Sequence, residues 1–127
     1  MKGLVITTKN TMQVMEFGEP LYKSLGKAVG GYIEVVHPHG LREPLRMICN
    51  EEGLLDGLDL NRVGSLWYGT HVHGHPIVGD IVVVREGMTD DGPDIVGLEE
   101  GDIRWLKGLV KYMTQGGIRD LDKEEQV

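Results

Sequence analysis

The sequence has few of the features that mark secreted or membrane-spanning proteins. It contains a single cysteine, Cys49, so an intrachain disulfide is excluded and a reducing compartment is expected. No stretch approaches the ~20 apolar residues that a membrane-spanning helix needs. The first residues also lack the apolar run and the small-residue cleavage site of a signal peptide. We therefore expect a cytoplasmic protein with no membrane partner.

Basic residues are scarce relative to acidic ones. The 127 residues include 13 Lys and Arg against 20 Asp and Glu, for a formal net charge of −7. Residues 1–50 hold six basic and four acidic side chains, whereas residues 51–127 hold seven and sixteen. Binding to a phosphate backbone needs several Lys or Arg side chains in one footprint. Nucleic acid is therefore disfavoured as a partner.

The hydrophobic pattern predicts five strands and two helices. β-branched or alternating apolar residues predict the strands, and apolar residues at helical spacing predict the helices. The predicted strands are residues 2–8, 11–17, 32–37, 45–50 and 77–85, and the predicted helices are residues 20–29 and 99–113. Residues 77–85 (IVGDIVVVR) are a nearly unbroken β-branched run, which is typical of a central strand covered on both faces.

These elements predict one small α+β domain, with an antiparallel or mixed sheet and two helices on one face. Residues 1–117 are expected to form this domain, since a chain of this length can bury one core without disulfides. Residues 118–127 (IRDLDKEEQV) follow two glycines and carry little apolar surface. A charged, flexible C-terminal tail is therefore expected there.

Three segments together resemble a known family. GGYIEVV at residues 30–36, ICNEEG at residues 48–53, and Leu58 followed by Asn61 and Arg62 are similar to the domain of unknown function family 3846. The resemblance covers roughly residues 2–113 and is weakest at Gly97, at Gly101 and in the histidines of residues 71–75. That family groups small proteins from phages, plasmids and other mobile elements, and it has no assigned activity. The resemblance implies a shared fold and an accessory protein of a mobile element.

One candidate ligand-binding site combines amide, carboxylate and guanidinium groups around a glycine-rich loop. Asn50, Glu51, Asn61 and Arg62 supply these groups. A guanidinium such as that of Arg62 is suited to an anionic group of a small ligand. The alternative is structural: the two asparagines would satisfy the backbone of turns, and Arg62 would pair with Glu51 or Glu52.

Three histidines lie in the run THVHGHP at residues 70–76. On an extended segment, residues two apart share a face, so His71, His73 and His75 would point the same way at steps of about 6.6 Å. Imidazole nitrogens are zinc ligands. A small metal-dependent hydrolase with zinc as its cofactor is therefore the alternative function. The simpler interpretation is a solvated loop, because no motif such as H-E-x-x-H places an acidic general base.

The remaining residues of interest favour binding over catalysis. Trp67 and Tyr68 predict a self-association interface, since neighbouring aromatics in a small domain belong to a core or an interface. Cys49 lies in an apolar strand without an identifiable histidine partner, so we do not expect a cysteine nucleophile. No phosphate-binding glycine motif is present. We predict a homo-oligomer without catalytic residues or cofactor that binds a host protein or a small ligand.

Overall fold

One mixed β-sheet runs through the molecule and carries helices on both of its faces. The computed structural model describes residues 1–124 of the chain, except for the side chains of His73 and Glu124. Over these residues the elements are, in chain order, β1 (Lys2–Ile6), β2 (Thr11–Glu16), α1 (Leu21–Val29), β3 (Ile33–Val36), β4 (Leu45–Asn50), α2 (Arg62–Tyr68), α3 (Thr70–His73), β5 (Ile81–Thr89), β6 (Gly92–Val96), α4 (Glu100–Met113), β7 (Arg119–Asp120) and α5 (Leu121–Glu124). No helix in this part of the chain is long and apolar enough to cross a membrane.

The strand order confirms the predicted α+β class with a mixed sheet. The order is β3-β4-β5-β1-β2-β7, and β6 pairs with the second half of β5. All of these pairs are antiparallel except the pair of β2 with β7. β6 was not predicted, because its sequence GPDIV begins with residue types that are depleted in strands. It forms because the turn at Asp90 and Asp91 returns the chain along β5.

Successive residues of β5 belong to two different apolar cores. Ile81 and Val83 pack with α2 and α4 on one face of the sheet, which we call the α4 face. Val82 and Val84 pack with α1 on the opposite face. All four residues are fully buried. The prediction of a strand covered on both faces is therefore confirmed for residues 81–84, although the strand begins at Ile81 and not at residue 77. The prediction that both helices share one face is wrong, because such a strand needs a cover on each side.

The segment after α4 packs against the sheet. Ile118 is only 8% exposed and belongs to the core of the α4 face. β7 extends the sheet beyond β2 by a parallel pairing. A flexible tail was expected here; in the structure Ile118 is buried and residues 119–120 pair with β2, so this segment packs on the domain. Residues 125–127 lie outside the described part of the chain.

A charged cluster also holds this segment on α4. Lys107 Nζ donates to Asp120 Oδ1 at 3.0 Å and to Asp122 Oδ2 at 2.8 Å. Asp122 Oδ2 also accepts a hydrogen bond from the backbone N–H of Val14, in β2. Desolvation lowers the pKa of Lys107, but the hydrogen bonds to Asp122 and Asp120 outweigh it and raise this pKa above its ordinary value. The acidic residues thus pair with a helix instead of remaining in solvent.

Candidate ligand-binding cleft

A cleft of about 480 Å³ opens on the α4 face, beside β3 and the end of β4. Val36, Cys49 and Ile77 form its apolar floor. One wall is the loop of residues 51–55 that follows β4, and the other is the segment of residues 75–78 that leads to β5. Small-molecule sites in proteins commonly have volumes of about 300–1,000 Å³ and largely apolar linings. The cleft therefore has the dimensions of a site for a small ligand.

The pairing of β3 with β4 places an exposed carboxylate next to a buried thiol. Glu34 lies opposite Cys49 in the register of the two strands. Residues directly opposite in an antiparallel pair project from the same face of the sheet. β4 is covered on both faces, so Cys49 is 5% exposed, whereas Glu34 on the outer strand remains exposed at the rim.

The thiol of Cys49 is held in its neutral form. Burial, together with the negative charge of Glu34, raises the pKa of Cys49 to about 11. The nucleophilic form of cysteine is the thiolate, which this environment disfavours at neutral pH. Cys49 therefore contributes a small, weakly polar surface to the floor of the cleft.

Asn50 fixes the loop wall to the rest of the fold. Its Nδ2 donates to the carbonyl oxygen of Val29, at the end of α1, at 3.2 Å. Its Oδ1 accepts from the backbone N–H of Glu52 at 2.8 Å. A side chain that bonds to the backbone two residues ahead stabilises a turn. Asn50 lines the cleft, but its amide is bonded to backbone on both sides, so it positions the loop.

Hydrogen bonds hold the opposite wall, residues 75–78, against α2. Ser65 Oγ accepts from the backbone N–H of Ile77 at 2.9 Å and donates to the carbonyl of Ile77 at 3.1 Å. The two walls also meet closely: a Cβ atom built on Gly53 would lie 2.7 Å from Cγ2 of Val78. A side chain at residue 53 would force Val78 to shift, so glycine favours the close packing of the two walls. The cleft is thus framed by hydrogen-bonded segments on both sides.

Three carboxylates lie among the residues that line the cleft and give its lining a negative formal charge. Glu34, Glu51 and Glu52 are all exposed lining residues. Among the described residues, none of the three takes part in a salt bridge. No Lys or Arg lies among the described residues that line the cleft. Charges of one sign in a concave site concentrate the electrostatic field there.

The structure separates the predicted ligand-binding residues into two groups. Asn50 and Glu51 line the cleft, whereas Asn61 and Arg62 do not. Asn61 is fully buried and caps α2 by accepting from Gly64 N at 2.9 Å. Both hydrogens of its amide are donated to backbone carbonyls, those of Ile6 and Gly79, at 3.0 Å each. The prediction that Asn61 binds a ligand is therefore wrong, and its structural alternative is right.

Arg62 begins α2 on the exposed side of that helix. It borders a shallow depression with Leu60, Leu66 and His71, away from the cleft. Arg62 does not join Asn50 and Glu51, and no salt bridge within the described residues links it to Glu51. The two residues are adjacent in sequence but do not share a site, because the helix cap buries the side chain of Asn61 and leaves that of Arg62 exposed.

The two neighbouring aromatics have different environments. Trp67 is 1% exposed in the core of the α4 face, and its Nε1 donates to Sδ of Met113 at 3.1 Å. The prediction of Trp67 as an interface residue is wrong, because both the ring and its N–H are satisfied inside the chain. Tyr68 is half-buried and lines the cleft. Self-association stays a prediction that no longer has Trp67 to support it.

The histidine run does not have the extended conformation on which the zinc hypothesis depended. Residues 70–73 form α3, and Gly74 follows in the left-handed conformation with φ of 81°. His75 lines the cleft, whereas His71 borders separate depressions beside Leu66. The side chain of His73 lies outside the described residues. Within the described part of the chain, no three His, Cys, Asp or Glu side chains converge to hold a metal ion.

Glu34 and residues 76–78 were not predicted as site residues from the sequence, and His75 was predicted only as a candidate zinc ligand. A signal for Glu34 was present: it is the only charged residue in the strand segment YIEVV, so the alternation of a strand places it on the other face from Ile33 and Val35. The contribution of residues 75–78 had no local signal, because they reach the cleft through hydrogen bonds with α2.

The fold and the cleft define a small α+β domain with a candidate ligand site beside β3, the strand at one edge of its sheet. A family model described as Domain of unknown function (DUF3846) matches residues 1–111 of the chain. The chain therefore belongs to this family, as the sequence resemblance predicted. No curated protein and no solved structure shows a significant match to the chain. The family match ends before β7 and α5.

Proposed function

We propose that this domain binds a small organic molecule in the cleft and does not transform it. The observation that carries the proposal is a cleft of about 480 Å³ with an apolar floor, a polar rim and two hydrogen-bonded walls. A site whose walls are fixed before binding loses less conformational entropy when the ligand enters. This arrangement supports ligand binding better than it supports a docking surface for a large partner.

The chemistry of the lining supports binding without turnover. Nucleophilic catalysis by cysteine needs a thiolate or an adjacent base that generates one. Burial and Glu34 oppose the thiolate of Cys49 by raising its pKa to about 11. A binding protein of this size is also compatible with the proposed role as a mobile-element accessory protein, for which the family resemblance is the support.

Chemical-shift mapping with a fragment collection tests the proposed function. Fragments of different charge would be added to the ¹⁵N-labelled protein. The proposal expects at least one fragment to shift amide signals of residues 34–36, 49–55 and 75–78 together. Shifts confined to other surfaces, or no saturable shifts at all, would contradict it.

A space-filling substitution in the floor of the cleft tests the location of binding, and a similar substitution outside the cleft is its control. Cys49→Leu adds apolar volume to the floor of the cleft and is expected to abolish the shifts, while the remaining spectrum stays dispersed. Val72→Leu adds a methylene on a residue that is 80% exposed outside the cleft lining. It should leave fragment binding unchanged. Equal binding by both variants would place the fragments elsewhere and contradict the proposal.

A further inference from the structure

We propose that the ligand of the cleft is an organic cation, a molecule with a primary ammonium or amidinium group on a compact apolar body. This inference rests on the proposed function, since it names the chemical class that the same cleft would take. It depends on three properties of the lining: the sign of its charge, the apolar floor with a buried thiol, and the spacing of its acidic groups.

The negative charge of the rim favours a ligand of positive charge. Glu34, Glu51 and Glu52 line the cleft, none of them takes part in a salt bridge among the described residues, and no Lys or Arg lies among the lining residues. An anionic ligand would meet three carboxylates, and the described lining offers it no Lys or Arg, only the imidazole of His75 on the opposite wall. A cation would be attracted to the cleft and would form charge-assisted hydrogen bonds at its rim.

The floor selects a ligand that is more than a bare ion. Val36, Cys49 and Ile77 are buried and present apolar atoms below the rim. The Cys49 thiol is 5% exposed and forms no hydrogen bond with the described residues. It therefore belongs to the apolar floor and borders the cleft. Apolar atoms of a ligand would gain about 25 cal/mol for each Å² of surface they remove from water there.

The arrangement of the acidic groups disfavours a metal ion as the ligand. Calcium and magnesium need several oxygen ligands converging at about 2.0–2.6 Å. Within residues 1–124 no three His, Cys, Asp or Glu side chains form such a group, so the carboxylates of the cleft do not converge as the ligands of these ions must. An ammonium or amidinium group needs only one or two acceptors, while its apolar body occupies the remaining volume.

Three probes of similar shape separate charge from shape. Benzylamine is cationic at neutral pH, benzyl alcohol is neutral, and benzoate is anionic. Isothermal titration of the full chain with each probe should give affinities in the order benzylamine, benzyl alcohol, benzoate. Raising the salt concentration from 0.05 M to 0.5 M should weaken benzylamine binding and leave benzyl alcohol binding unchanged, because salt screens exposed charges.

Matched carboxylate substitutions locate the effect. Glu34→Gln and Glu51→Gln each remove one rim charge with little change in shape, and each should weaken benzylamine about threefold to fivefold, as is typical of exposed ion pairs. Glu19→Gln removes an exposed carboxylate outside the cleft lining and should have no effect. Equal losses in all three variants would overturn the assignment, because they would reflect only the net charge of the protein.

The outcomes distinguish this inference from the proposed function. If benzyl alcohol or benzoate binds as tightly as benzylamine and shifts the cleft amides, the preference for a cation is wrong and the small-molecule site stands. If a lysine-rich peptide binds with shifts at the cleft and benzylamine does not bind, a small organic cation is wrong as the ligand. If no probe or fragment shifts the cleft amides, both the inference and the proposed function fail.

Discussion

Replacing Ile118 with alanine tests whether the end of the chain is part of the fold. The side chain is 8% exposed and lies in the same core as Leu106 and Val110 of α4. Truncating a buried isoleucine to alanine typically costs about 2–5 kcal/mol, since apolar contacts are lost and a cavity remains. Ile118 lies at the edge of its core, where neighbours can relax into the space. We therefore expect a loss of about 2–3 kcal/mol in the free energy of unfolding.

Urea denaturation followed by tryptophan fluorescence measures this loss, because buried Trp67 belongs to the same core. The variant should unfold at a lower urea midpoint with an unchanged slope, the signature of lower stability without a change in exposed surface. Val72→Ala is the matched control, because Val72 is 80% exposed. It should change stability by less than about 0.5 kcal/mol. An equally small change in Ile118→Ala would refute the packed arrangement of residues 118–124.

Three further predictions concern the residues assigned from sequence. Asn61→Ala should lower the free energy of unfolding by about 3 kcal/mol, because it removes a helix cap and leaves two buried carbonyls unpaired. The control Arg62→Ala should change the same free energy by less than about 0.5 kcal/mol. Urea denaturation measures both. Alkylation of Cys49 in the folded protein should stay slow at pH 8 and accelerate only toward its pKa of about 11; rapid alkylation at pH 8 would contradict a buried neutral thiol. Replacing the three histidines of residues 71–75 with alanine should leave the melting temperature unchanged whether or not zinc is added, and a zinc-dependent rise in the parent alone would restore the hydrolase hypothesis.

Ionisation of Cys49 makes the free energy of unfolding depend on pH in the alkaline range. The unfolded thiol ionises near its ordinary pKa of 9.0, and the folded thiol ionises at about 11. An acid whose pKa is raised in the folded state stabilises that state below the unfolded pKa, and this contribution is lost as the pH rises through the window between the two values. The contribution of Cys49 is therefore present at neutral pH and declines from about pH 9 to about pH 11.

Elements with a strong local pattern were predictable. The β-branched run that contains β5 and the helical spacing in α4 both specify their structures without information from distant residues. β6 and β7 were not predictable in this way, because neither has a strand-like composition. Each forms by pairing with a longer strand, so its structure depends on tertiary contacts that a local window does not contain.

The candidate site was only partly predictable for the same reason. Asn50 and Glu51 are in the cleft because they end β4 and begin the next loop, which the sequence indicated. Asn61 was misassigned, since a buried cap and an exposed ligand-binding amide have the same sequence signal. The opposite wall at residues 75–78 is positioned by hydrogen bonds to Ser65, and no sequence motif around Ser65 predicts them. Residue type predicted the chemistry available, and tertiary contacts determined which groups meet.

A crystal structure of the protein grown with benzylamine tests the central claim most directly. Binding at the cleft predicts the aromatic ring over the floor formed by Val36, Cys49 and Ile77, with the ammonium group within hydrogen-bond distance of Glu34, Glu51 or Glu52. The same position should be vacant in crystals of Cys49→Leu grown with benzylamine. Benzylamine found only on other surfaces, with an open and empty cleft in the parent protein, would contradict the claim.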